Sequence, residues 1–87
     1  MHLARVVGTV VSTIKDEALK GAKLLIIEPL SHDLKPAGER LVAVDAIGVG
    51  YGEHVFFERS REATVAFPDR IVPADAAILA VVERVDL

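Results

Sequence analysis

The sequence predicts a small, mainly β protein: a five-stranded barrel, closed or nearly so, with one short helical segment. Three observations lead there. Short apolar runs rich in Val, Ile and Leu recur along the chain. Clusters of Gly, Pro, Asp and Ser separate them. And 87 residues make one domain, spanning 1–87, with little room for a second.

The first run is Leu3-Ala-Arg-Val-Val-Gly-Thr-Val-Val11. In a strand, Leu3, Arg5, Val7, Thr9 and Val11 face one way, and Ala4, Val6, Gly8 and Val10 the other. Both faces are largely apolar, which predicts burial over most of the length. Gly8 at its centre predicts a bulge or a sharp bend. Residues 12–21 are polar and predict one helix-like turn at most. Lys23 to Glu28 is the second strand, stopped by Pro29, which has no N–H for a ladder. Asp33, Pro36 and Gly38 make 31–39 a hairpin-type loop. Arg40 to Asp45 is the third strand and Val55 to Glu58 the fourth. Ser60 can cap a short helix through Ala63. Val65 to Val72 reads as irregular, broken by Pro68. Ala76 to Val85 is the last strand; its Ala-rich start also suits a helix, and Val81, Val82 and Val85 decide for β.

Between the third and fourth strands lies the stretch that organises the chain, Val42 to Phe57. Its turn holds Gly48, Gly50 and Gly52, half of the 6 glycines present. Glycines at alternate positions permit positive φ and let another backbone approach without a Cβ between. Gly48 and Gly50 are expected to be glycine for one or both of those reasons. The turn is expected to be a packing surface for a neighbouring copy of the chain.

Composition points the same way. The chain is 52% hydrophobic, with a mean hydropathy of +0.41. A domain of this size buries only roughly 60% of its unfolded surface, so apolar area is left over. The longest apolar run, Ala76–Val82, has 7 residues, far short of the ~20 that span a bilayer. No basic segment with a cleavage site opens the chain, so no secretory leader is expected. Other protein chains are the better outlet for the excess. The absence of cysteine excludes disulfides and thiolate metal sites and suits a reducing compartment. A net charge of −3 argues against a general nucleic-acid binder.

No residue pattern carries catalytic chemistry. Gly48-Val-Gly-Tyr-Gly-Glu53 superficially matches a dinucleotide fingerprint, but a phosphate there would meet the Glu53 carboxylate, and no helix follows. His2, His32 and His54 are scattered and predict surface positions rather than a metal site. Asp45, Glu53 and Asp75 are assigned turn or cap roles ahead of a carboxylate pair. Lys15, Lys20 and Lys23, balanced by Asp16 and Glu17, read as a solvated face. Tyr51, Phe56, Phe57 and Phe67 are too few and too scattered for a stacking platform. No catalytic residue, cofactor or metal is expected.

Four stretches together carry a resemblance. They are Ala4-Arg-Val-Val-Gly-Thr-Val-Val-Ser-Thr-Ile-Lys15, Leu19-Lys-Gly-Ala-Lys-Leu-Leu25, Val42-Ala-Val-Asp-Ala-Ile-Gly-Val-Gly-Tyr-Gly-Glu-His-Val55 and Pro73-Ala-Asp-Ala-Ala-Ile-Leu-Ala-Val-Val82. In this order they resemble the bacterial microcompartment vertex family, the EutN/CcmL group of carboxysome and metabolosome shell proteins. Val49 stands where alanine is usual in that family, and His54 where a bulky aromatic is frequent.

The resemblance implies an oligonucleotide-binding-like barrel that forms a homopentamer and caps the vertices of an icosahedral shell in the bacterial cytoplasm. It implies a structural protein, not an enzyme, whose partners are itself and the hexameric and trimeric shell proteins, with no nucleic acid and no membrane. It places Gly48, Val49, Gly50, Tyr51, Gly52 and Glu53 at the five-fold axis or subunit interface. If the chain sits at a vertex, Lys15, Lys20, Arg59 and Arg61, which fall in turns between strands, are candidates for the shell-docking rim. Three other classes stay in view: a nucleic-acid-binding barrel module, which the acidic balance and sparse aromatics disfavour; a small enzyme, for which nothing in the sequence supplies a pocket of convergent perturbed groups; and a homo-oligomeric scaffold unrelated to shells.

Overall fold

The computed structural model describes residues 1–10, 13–14, 22–60, 64–66 and 71–83. In chain order the strands are β1 (His2–Thr9), β2 (Thr13–Ile14), β3 (Lys23–Pro29), β4 (Leu41–Asp45), β5 (His54–Arg59), β6 (Thr64–Ala66), β7 (Ile71–Pro73) and β8 (Ala76–Val82). Five of them close a barrel in the order β1-β3-β4-β8-β5, and β2-β6-β7 form a separate three-stranded sheet.

Period-two alternation builds the core. Ala4 and Val6, Leu25 and Ile27, Leu41 and Ala43, Val55 and Phe57, and Ala76 and Ile78 are all buried and belong to one cluster. Each barrel strand thus supplies two inward residues at i and i+2. Among the described residues Phe57 is the largest fully buried side chain, in a cluster with the small Ala4, Ala43 and Ala76. Burying a Val, Leu, Ile or Phe contributes about 1.5–3 kcal/mol, so this ring of side chains is the main source of stability. A second cluster lies on the outer face of β3 and β4, where Leu24 and Val44 pack with Ala74 against Val10, Ala22 and Val42.

Gly8 is where the bulge falls: the β1–β3 register shifts between Val6 and Gly8. The strand is buried on one side rather than both, since Ala4 and Val6 are buried while Arg5 and Thr9 are exposed. Pro29 ends β3 from within the strand, opposite Ala4. The other barrel strands fall within a residue or two of expectation at the ends described.

Three expectations need correction. Val65 to Val72 is not irregular throughout, because β6 and β7 pair from Thr64↔Pro73 to Ala66↔Ile71. The polar stretch after β1 contains β2, whose Thr13 and Ile14 pair with β6 rather than coiling. Three-residue strands have too few positions to show a period, so pairing partners, not local pattern, decide them. And the last strand ends at Val82 with Glu83 outside it; Val85 lies outside the described residues. The helix expected after Ser60 falls on residues 61–63, also outside them; among the described residues none is helical.

Candidate functional site

The glycine loop, residues 46–53, is organised by Asp45. This carboxylate is 1% exposed at the end of β4. Its Oδ1 accepts hydrogen bonds from the Ile47 N–H at 2.8 Å and the Gly48 N–H at 3.1 Å. Its Oδ2 accepts from Gly48 at 3.2 Å and from Val49 at 2.7 Å. Three successive amides therefore converge on one buried anion, an Asx-type turn in which the charge is satisfied entirely by backbone. Asp45 has the turn role expected of it.

The curl has two consequences. It turns the Val49 side chain into the barrel, where it is 2% exposed and joins the main core cluster. It leaves Ile47 at 50% and Tyr51 at 80% exposure, two of the five large apolar side chains that face solvent among the described residues. The far end of the loop is tied to β1: the Gly52 N–H donates to the Val6 carbonyl, and the Val6 N–H donates to the Glu53 carbonyl, both at 2.9 Å. A loop that reads as irregular is anchored at both ends and through its middle.

The glycines of the loop differ in backbone conformation. Gly48 and Gly52 have φ of 99° and 84°, where a side chain is strained, whereas Gly50 is not among the positive-φ residues. A Cβ added at Gly50 meets the Glu53 side chain at 3.5 Å, an ordinary contact. Among the described residues nothing requires glycine at 50.

The predicted interface residues Gly48, Val49, Gly50, Tyr51, Gly52 and Glu53 thus form one contiguous loop, all exposed except Val49, whose backbone alone is available to a neighbour. Of the rim candidates, Arg59 is exposed at the end of β5; Lys15, Lys20 and Arg61 lie outside the described residues. Glu53 and Asp75 do not pair with Asp45; Asp75 instead exchanges backbone bonds with Val42 and Ser60.

Two features gave no signal in the sequence. One is a cleft of about 190 Å³ lined by Arg5, Glu28, Leu30, Leu34, Pro36 and His54. Arg5 stands opposite Glu28 on β3 and His54 on β5, and Arg40 Nε reaches Glu28 at 3.5 Å. It holds charge but no nucleophile beside a base. The other is the exposure of Leu79 and Val81 on β8, at 48% and 36%. Among the described residues no cluster of His, Cys, Asp or Glu has metal-binding geometry.

Comparison with known proteins places this architecture. The family described as "Ethanolamine utilisation protein EutN/carboxysome" matches residues 1–83. The microcompartment shell vertex protein PduN of Salmonella typhimurium is 43% identical, over 99% of this chain and 96% of its own. The carboxysome shell vertex protein CcmL of Synechococcus elongatus is 36% identical, over 100% and 88%. The solved structure of GrpN, a pentameric microcompartment shell protein from Rhodospirillum rubrum, superposes with a TM-score of 0.73 at 36% identity, covering 100% of this chain and 98% of that one.

Proposed function

The chain belongs to the EutN/CcmL family, and from that premise we propose that it is a structural protein whose homopentamer caps the five-fold vertices of a bacterial microcompartment shell. The observation that carries this is end-to-end similarity to proteins named for that role, on the same barrel. The physics supports it. A five-fold ring joins one patch of each copy to a different patch of the next, and exposed Ile47, Tyr51, Leu79 and Val81 supply apolar surface in need of a partner. The function is then geometric, since flat hexagonal sheets cannot close without pentagonal points.

In the ring, the loop Gly48–Glu53 lies where the five copies meet, and Gly50 is glycine because neighbours crowd it. The sides of the ring dock against hexameric and trimeric shell proteins in the bacterial cytoplasm, with Arg59, Lys15, Lys20 and Arg61 tuning that contact. Exposed pairs contribute only ~0–1 kcal/mol each, so the rim adjusts docking in a salt-dependent way rather than creating it.

The test is assembly. A hexameric shell protein is produced with and without this chain, and particles are imaged by electron microscopy. Closed polyhedral shells that require the chain are expected; equal closure in its absence would overturn the proposal.

A further inference from the structure

Strand β8 is bonded unevenly on its two sides. Toward β5 it pairs along its length, from Ala76↔Arg59 to Val82↔His54. Toward β4 the parallel pairing stops after Ala43↔Ala76 and Val44↔Ala77. Among the described residues, Ile78–Val82 therefore have no strand on that side. The glycine loop leaves β4 directly after this pairing, following Asp45.

The side chains there are apolar. The β5–β8 register shifts between Phe56↔Ala80 and Phe57↔Ile78, leaving Leu79 as the unopposed residue of a bulge. A bulge re-aims its extra residue, and Leu79 is 48% exposed, with Val81 at 36% and Ile47 of the adjoining loop at 50%. Unpaired edges that stay uncovered are normally short, charged or broken by proline. Ala76–Val82 has none of these protections. A free edge, a bulge that presents leucine and a neighbouring exposed isoleucine are what a buried seam requires, and what a solvent face avoids.

We propose that the second half of β8, Ile78–Val82, together with Ile47, is the seat of the adjacent copy of this chain in the ring. The inference rests on the pentamer reading above and names the patch that reading leaves open. The occupant is a second copy because the glycine loop, which leaves the paired strand β4, also exposes the large apolar groups Ile47 and Tyr51, and because a related chain of the same fold is described as pentameric.

The chain has no cysteine, so a single Leu79→Cys provides a clean probe. Its thiol is labelled with a maleimide and compared with Glu39→Cys in the exposed 30–40 loop, while native mass spectrometry follows the oligomer. The expected result is a pentamer in which position 79 labels at least tenfold more slowly than position 39. In parallel, Leu79→Glu is expected to yield monomer with its β-sheet circular dichroism retained. Equal labelling in an intact pentamer, or a Leu79→Glu chain that still assembles, overturns the seam and leaves the pentamer standing. Protection that appears only on adding a hexameric shell protein assigns the face to that partner and also overturns it. A parent chain that stays monomeric overturns the ring itself.

Discussion

Two loops flank β4, 30–40 joining it to its barrel neighbour β3 and 46–53 leading on to β5, with β8 between the two in the barrel order, and they are held in different ways. The first is tied to β1 by the Leu30 N–H, which donates to the Leu3 carbonyl at 2.9 Å, and is otherwise closed mostly by its own groups. The Ser31 N–H donates to the Lys35 carbonyl at 2.8 Å and the Leu34 N–H to the Ser31 carbonyl at 2.9 Å. The Ser31 hydroxyl donates to the Asp33 carboxylate and accepts from the Lys35 N–H at 3.4 Å. The second is closed from inside, by a buried carboxylate and a buried valine. Local, solvated bonds exchange readily with water and contribute little net stability. A buried anion holding three amides is costly to disturb, because its loss strands donors where water does not compensate. The glycine loop is thus part of the core in energetic terms while presenting Ile47 and Tyr51 outward, as a preorganised contact surface should.

The comparison breaks most visibly at Asp45. Asp45→Ala leaves the amides of Ile47, Gly48 and Val49 without their acceptor and is expected to cost on the order of 3 kcal/mol. Thermal melts at fixed protein concentration, so that assembly does not confound the midpoint, check this. Next is Val49→Ala, which empties a core position; the expected cost is roughly 2 kcal/mol. Denaturant titration measures it, with the slope unchanged if the native state is otherwise intact.

Gly52→Ala tests backbone conformation alone. Its φ is 84° and an added Cβ meets nothing within 4 Å, so the expected cost is about 1–2 kcal/mol of pure strain. In the 30–40 loop the effects shrink. Ser31→Ala is expected to change stability by no more than about 1 kcal/mol. The Ser31 hydrogen bond is the main reason the Asp33 carboxyl lies below its ordinary range. A depressed folded value means its small stabilisation is present above about pH 4 and is lost as pH falls through the folded value. Acid titration of the parent and the Ser31→Ala variant should differ only in that window, and slightly.

Much of this was legible. The five barrel strands, the Gly8 bulge and the turn role of Asp45 follow from alternation, a lone glycine and an aspartate ahead of a glycine turn. The short strands β2, β6 and β7 were not, because two or three residues carry no period and pairing comes from distant partners. For Gly48 and Gly50 the expectation is positive φ, close approach of a neighbour, or both; sequence shows where side chains are absent but not which φ each absence serves. Gly52, not Gly50, has the positive angle beside Gly48. The exposed edge of β8 was hidden too. Leu79 and Val81 sit in an unbroken apolar run, and only the β5–β8 register shift and the early end of the β4 pairing show which of them reach the surface.

Gly50 gives the most direct test of the account, because among the described residues nothing requires glycine there. Gly50→Val should leave the fold intact and prevent the ring. Native mass spectrometry at micromolar concentration, paired with circular dichroism, reads both. Five chains of 9.3 kDa, 46.5 kDa together, are expected for the parent, and a 9.3-kDa species with β-sheet signal retained for the variant. A Gly50→Val chain that assembles at 46.5 kDa with an unchanged melting temperature would show that the loop is not crowded by its neighbours, and would contradict the account.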